Sequence, residues 1–140
     1  MPKSQNSQIM SLMFETKRRL ASKFRHKKNF LPEDLIKTEI LTYLRKNKNS
    51  NMKKVARFLG ITPPSATALV DKLVINKYLD RRQDPNDRRK IILVVTKKGE
   101  KFIKTFHNNF QEIIKNCLSP LNKKDKKDLI RIYNKLLDKK

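Results

Sequence analysis

Ile61-Thr-Pro-Pro-Ser-Ala-Thr-Ala-Leu-Val-Asp-Lys-Leu73 decides how this chain reads. Thr62 is suited to cap a helix, its hydroxyl taking one of the N–H groups that a first turn leaves unsatisfied. Proline is tolerated in that turn, where no intrahelical N–H is needed. A proline also disfavours helical angles in the residue before it, so the regular helix is expected to begin at Pro64. Ala66, Leu69, Val70 and Leu73 recur at helical spacing and form one apolar face. The opposite face opens with Pro64, Ser65, Thr67 and Ala68, all small, and closes with Asp71 and Lys72. Short hydroxyl and methyl groups allow close approach to a groove, which a recognition helix requires.

Upstream, Lys53 to Leu59 forms a helix too short to stand alone, so Val55, Ala56, Phe58 and Leu59 must pack against neighbours. Met52 is either a very short strand or an anchor before it. Gly60 supplies the positive φ that ends this helix and turns the chain into Ile61. Two helices joined by a short glycine-containing turn make a helix-turn-helix candidate, a corner that many proteins without DNA ligands also contain. Further upstream, Asn47 to Asn51 is a polar loop. Before it, Pro32 opens a helix with Glu33 and Asp34 in the turn where the helix dipole favours anions. Leu35, Ile36, Ile40, Leu41 and Leu44 mark that helix's expected buried face. Ile9 to about Lys28 reads as a first helix with a strongly basic second half, preceded by a disordered lead over residues 1 to 7.

Downstream, Tyr78 to Gln83 and Lys90 to Val95 are strand-like, the second rich in β-branched residues. Asp84-Pro-Asn-Asp87 between them is turn chemistry, so the pair is a hairpin. Arg81, Arg82, Arg88, Arg89 and Lys90 stud it. A helix-turn-helix followed at once by a basic two-stranded hairpin is a winged helix. Thr96 then caps a helix to about Leu118, with Phe102, Ile103, Phe106, Phe110, Ile113, Ile114 and Cys117 at 3–4 spacing. Ser119-Pro120 breaks it. Asn122 with Asp125 caps a last helix whose apolar face is Leu129, Ile132, Tyr133, Leu136 and Leu137. Leaving both stripes wet is costly at about 25 cal/mol per Å², so the terminal helices read as a dimerisation platform. Packing back onto the winged domain is the alternative.

The totals agree with this reading without proving it. The chain has 140 residues, 35 Lys and Arg against 13 Asp and Glu, and a formal net charge of +22. Such a balance favours polyanionic partners, nucleic acid or an anionic membrane surface. A lysine excess driven by codon bias would leave a solvated surface of the same composition. The single cysteine, Cys117, excludes an intramolecular disulfide and cysteine-based zinc clusters. No apolar run approaches the roughly 20 residues that span a bilayer, and no signal-peptide core is present. A cytoplasmic protein is expected.

From Lys53 to Gly99 the sequence resembles the MarR (multiple-antibiotic-resistance regulator) family of winged-helix transcription factors, and the resemblance extends over about residues 33 to 139. Its most specific part is Asp80-Arg-Arg-Gln-Asp-Pro-Asn-Asp-Arg-Arg89, followed by an apolar strand and Thr96-Lys-Lys-Gly99, just after Leu69-Val-Asp-Lys-Leu73. The resemblance implies an obligate homodimer on double-stranded DNA. Carried over by position, Thr62, Pro64, Ser65, Thr67 and Ala68 would face bases and phosphates of the major groove. Arg89 would enter the minor groove, oriented by Asp87, with Arg88, Lys90, Arg81 and Lys72 as weaker phosphate contacts. Relatives commonly take small aromatic or anionic effectors. Phe24, Phe30, Tyr43, Phe58 and Phe102 fit either such a pocket or plain core. Two positions depart from the family: Lys77 stands where glycine is usual, so Asn76 is expected to take the left-handed conformation. Lys90 replaces a residue that is often small.

No catalytic constellation is visible. His26 lies in a basic run and His107 on a helix, neither with a partner at triad or metal-ligand spacing, and Glu112 sits five residues from His107. No cofactor and no metal are expected. Cys117 lies on an apolar stripe, where a buried, inert thiol is expected rather than a sensor.

The fold class expected is mainly α with a small β-hairpin: a winged helix-turn-helix flanked by N- and C-terminal helices that form a dimerisation platform. Residues 1–32 supply the lead and first platform helix, 33–96 the DNA-binding domain, and 97–140 the C-terminal platform helices. The function expected is a sequence-specific, homodimeric transcriptional regulator, a repressor, on a pseudo-palindromic operator and open to relief by a small ligand. The alternative is a basic architectural, nucleoid-type DNA-binding protein with little sequence preference.

Overall fold

Thr62 starts the central helix as its sequence requires. Its backbone is extended (φ −74°, ψ 152°) and its Oγ1 accepts the N–H of Ser65. The computed structural model describes residues 4–26 and 31–139. In chain order these form α1 (Gln5–Arg25), α2 (Pro32–Lys46), α3 (Met52–Leu59), α4 (Pro63–Ile75), β1 (Leu79–Asp84), β2 (Asp87–Val95), α5 (Lys97–Cys117) and α6 (Lys123–Leu136). The helix α4 begins at Pro63 rather than Pro64, because extended Thr62 is already the cap and the first turn needs no N–H from either proline. Met52 is the first residue of α3, not a strand, with the Asn51 side chain accepting the Lys54 N–H. Helix α1 starts at Gln5, capped by Ser4, so the expected lead is shorter than seven residues. Lys27, Lys28 and Phe30 lie outside the described residues.

The chain divides into two compact units, residues 1–108 and 109–140. The core of the first is built where three short helices, a strand and the start of α5 meet. Ile40, Leu41 and Leu44 of α2, Val55 and Ala56 of α3, Ala66, Val70 and Leu73 of α4, Leu79 of β1 and Ile103 of α5 are all buried there. The helix axes of α3 and α4 turn through 103°, within the range of a helix-turn-helix corner. Leu35 and Ile36, expected inside, are exposed at 44% and 42%. The apolar arc of α2 is wider than the core it meets, so only its Ile40–Leu41–Leu44 side is covered. Phe58 is likewise half outside, its ring stacked on Tyr43 at 4.5 Å.

Both helices of the corner end in the same closure. After α3, the Ile61 N–H reaches back to the Ala56 carbonyl and Gly60 takes φ +68°. After α4, the Tyr78 N–H reaches the Leu73 carbonyl, the Lys77 N–H reaches Val74, and Lys77 takes φ +66°. The left-handed residue is thus Lys77, not Asn76, whose φ is −83°. Ring closure decides this: the residue between the last helical turn and the six-to-one bond must turn left-handed, whatever its side chain prefers.

In the second unit, Asn122 and Asp125 make a reciprocal capping box for α6, at 2.8 and 3.0 Å. Ile130, Ile132, Tyr133 and Leu136 are exposed, Leu129 half-buried and Ile113 buried. Cys117 is half-buried rather than buried, at the last turn of α5 where covering neighbours run out. No described helix is long and apolar enough to cross a membrane.

Candidate nucleic-acid interface

The two faces of α4 differ as the sequence pattern demands. Ala66, Val70 and Leu73 are buried, while Pro64, Ser65, Thr67, Ala68 and Lys72 are exposed, as is Thr62. The hydroxyls on the outer face are partly committed. Thr67 Oγ1 donates to the Pro63 carbonyl at 3.0 Å, and Thr62 Oγ1 lies 2.9 Å from Ser65 Oγ. With its hydroxyl hydrogen so used, Thr67 presents an acceptor lone pair and a methyl group on the outer face, and no free donor.

Opposite this helix stands the hairpin, and its tip is irregular. Strand pairs run evenly from Leu79↔Val95 to Gln83↔Ile91, and then jump to Asp84↔Asp87. Even pairing would set Asp84 opposite Lys90, so Arg88, Arg89 and Lys90 form a three-residue bulge. All three are exposed. The turn itself is an Asx turn, the Asn86 N–H donating to Asp84 Oδ1 at 2.9 Å. Asp87 Oδ1 accepts both the backbone N–H of Arg89 at 3.1 Å and its Nε–H at 3.3 Å, while the arginine side chain stays 91% exposed. The aspartate is thus both a turn residue and an orienting group.

The other basic candidates are less free. Arg81 is paired with Asp71 across from β1 to α4, and Lys72 with Glu33 of α2 at 3.5 Å. Arg82 is paired with Asp80 at 3.5 Å. Arg88 and Lys90 make no ion pair among the described residues. Lys90 instead lines a hollow of about 400 Å³ with Asn49, Ser50, Asn51 and Asp84, between the α2–α3 loop and the wing. Lys53, Lys54 and Arg57 of α3 are also exposed without a carboxylate partner among the described residues. These three make the first helix of the corner basic, a pattern visible in Lys53-Lys-Val-Ala-Arg57 but outside the wing signature.

Wing and recognition helix are tied together at one joint. Thr96 Oγ1 donates to the Lys77 carbonyl at 2.7 Å and accepts the Gly99 N–H at 3.1 Å. A Cβ on Gly99 would sit 2.5 Å from the Tyr78 carbonyl oxygen and 2.7 Å from Val95 Cγ1, so only glycine fits. Lys98 Nζ donates to the Asn76 carbonyl at 2.9 Å and lies over the Tyr78 ring at 4.5 Å. Lys37 lies 4.5 Å from the centroid of the same ring. The exit of α4, the end of β2 and the start of α5 are therefore bonded and packed at one point.

Of the aromatic residues expected in a pocket or core, Phe102 packs edge-on against Tyr78 at 5.4 Å, a core contact. Phe24 lines a hollow of about 290 Å³ with Leu20, Ala21, Pro32 and Leu35, rimmed by Lys17 and Arg25. His107 borders an open hollow with Lys101, Lys104 and the Arg45–Glu100 ion pair, and His26 is exposed at the end of α1.

Residues 37–91 match the sequence profile of the MarR family. The HTH-type transcriptional regulator BilQ of Clostridium symbiosum is 31% identical over 94 residues, 67% of this chain and 65% of that protein. The chain thus spans a little less than two thirds of that relative's length. The transcriptional repressor MprA of Escherichia coli is 27% identical over 107 residues, 76% of this chain and 61% of MprA. Among solved structures, BpsR of Bordetella bronchiseptica, whose DNA binding is regulated by 6-hydroxynicotinic acid, superposes with a TM-score of 0.74 at 18% identity, covering 99% of both chains. At that identity the likeness speaks for the fold alone.

Proposed function

We propose that the chain is a member of the MarR family, which the match over residues 37–91 and the likeness to BilQ support, and that it is a homodimeric, double-stranded-DNA-binding transcriptional regulator that acts as a repressor. The observation that carries this is the wing tip: a bulge of three exposed basic residues, with Arg89 steered by Asp87. A guanidinium so presented suits a narrow minor groove, where negative potential is concentrated. Helix α4 takes the neighbouring major groove, reading it through Pro64, Ser65, Thr67 and Ala68 and through the Thr62 cap. Lacking Arg, Asn or Gln at its leading positions, it has no bidentate base reader. Contact is by hydroxyl acceptors, thymine-methyl packing and DNA shape. Arg88 and Lys90 neutralise phosphates, and Lys72 and Arg81 do so only after leaving their carboxylates.

The wet apolar residues of α1 and α6, Ile9, Leu12 and Met13 with Ile132, Tyr133 and Leu136, support a second copy as the partner that covers them. Two-fold symmetry then calls for a pseudo-palindrome with half-sites about one helical turn apart, ~34–36 Å. The Phe24 hollow, apolar with two cations at its rim, supports an aromatic or anionic effector, which relieves binding only if it prefers one of two dimer shapes. The test is selection of genomic fragments by the purified protein at fixed salt. A shared pseudo-palindrome, preferred over random duplex by about 10³ or more, is expected. Fragments without a common element would favour the architectural reading, which the charge of +22 and the lack of bidentate base readers on α4 also fit.

A further inference from the structure

The charges of α6 are arranged against its own stability. Lys123, Lys127, Arg131 and Lys135 follow one another at i, i+4 along a single line of the helix, all exposed. Like charges at that spacing weaken a helix. Lys123 and Lys124 also stand in its first turn, where the helix dipole disfavours cations. A merely solvated face would interleave acids, as α1 does with Glu15 and Arg19 at 2.9 Å. In α6 one acid is spent on the cap, Asp125, and only Asp128 reaches the line, pairing with Arg131 at 3.6 Å. Lys123, Lys127 and Lys135 have no carboxylate partner among the described residues.

At 3.6 residues per turn, this line falls on the side of the helix opposite Leu129, Ile132, Tyr133 and Leu136. Whatever covers the apolar side leaves the cations facing outward. We propose that this cationic line is a second nucleic-acid backbone site, separate from the winged module. It extends for about 18 Å, a length in which one strand of a duplex presents about five phosphates. A membrane surface fits less well: headgroups that took the apolar side would leave the cations on the far side in water. The site rests on the reading of the protein as DNA-binding, and its ligand is either the flank of the duplex held by the wing or a second duplex.

The test uses the full chain with Lys123, Lys127, Arg131 and Lys135 all changed to glutamine, a good helix former. Two readouts are taken with random-sequence duplex: affinity and its salt slope, and capture of a labelled duplex by protein held on a bead-tethered one. If the line grips the same duplex, affinity falls at least tenfold and the slope drops by about three. If it grips a second, affinity for the first holds while capture falls to background. No change in either readout overturns the site. So does a loss confined to binding of phosphatidylglycerol vesicles. Arg89→Ala run in parallel separates the two proposals: wild-type affinity there, with loss in the glutamine variant, removes the wing reading and leaves this one standing.

Discussion

Along α4 the charged side chains are matched one to one: Lys72 with Glu33, and Asp71 with Arg81. At the wing tip, Arg88 and Lys90 are unmatched among the described residues and Arg89 has only its own turn aspartate. The two surfaces proposed to meet one duplex thus carry charge in opposite ways. The difference is what a reader of sequence and a reader of backbone would each need. Free cations bind any phosphate, and neutralised ones leave discrimination to contacts that depend on base identity. In a chain with nearly three basic residues for every acidic one, the proposed reading gives the carboxylates at α4 the task of limiting indiscriminate binding.

Removing the free side of this comparison has the largest expected effect. Arg89→Ala should weaken DNA binding by about 1–3 kcal/mol, roughly fivefold to 150-fold, with the circular dichroism and melting profile unchanged. Retained affinity in a gel shift would detach the wing from binding. Next comes the joint that holds the two surfaces together. Gly99→Ala forces a methyl against the Tyr78 carbonyl and Val95, so a loss of about 1–3 kcal/mol of folding stability is expected in urea unfolding. An unchanged midpoint would mean the joint is slack.

Removing the matched side acts in the other direction. Asp71→Asn and Glu33→Gln each release one cation, so the salt slope on random duplex should steepen by about 0.9 per variant and non-specific affinity should rise a few-fold. A fall in affinity would show instead that the pairs orient the wing. The smallest effect is at the helix exit. Lys77 holds a left-handed conformation that glycine adopts freely, so Lys77→Gly should stabilise the fold by about 1 kcal/mol without altering affinity. Thermal melting checks it, and a lowered melting temperature would mean that the lysine side chain has a contact worth more than the strain.

What could be read from sequence was whatever is local. The caps at Thr62 and Asn122, the turn at Gly60 and the hairpin follow from neighbours within four residues. The bulge was not legible, because Asp87 to Lys90 carries no apolar alternation from which a register could be counted. Nor was the Lys77 conformation, which intrinsic preference assigned to Asn76 and which a bond from Tyr78 to Leu73 decides. The pairs Asp71–Arg81 and Glu33–Lys72 join residues 10 and 39 positions apart, so they appear only once tertiary structure is known. Leu35 and Ile36 have the periodicity of core without a neighbour to make them so.

The claim beneath the rest is that α4 and Arg89 occupy adjacent grooves of one duplex. Methylation interference on a selected fragment reads both grooves at once, through guanine N7 in the major and adenine N3 in the minor. Wild-type protein should show both signals in neighbouring stretches, and Arg89→Ala should lose the adenine N3 signal while keeping the guanine N7 signal. Adenine N3 interference that persists in Arg89→Ala, or that is missing from the wild type, would contradict the account.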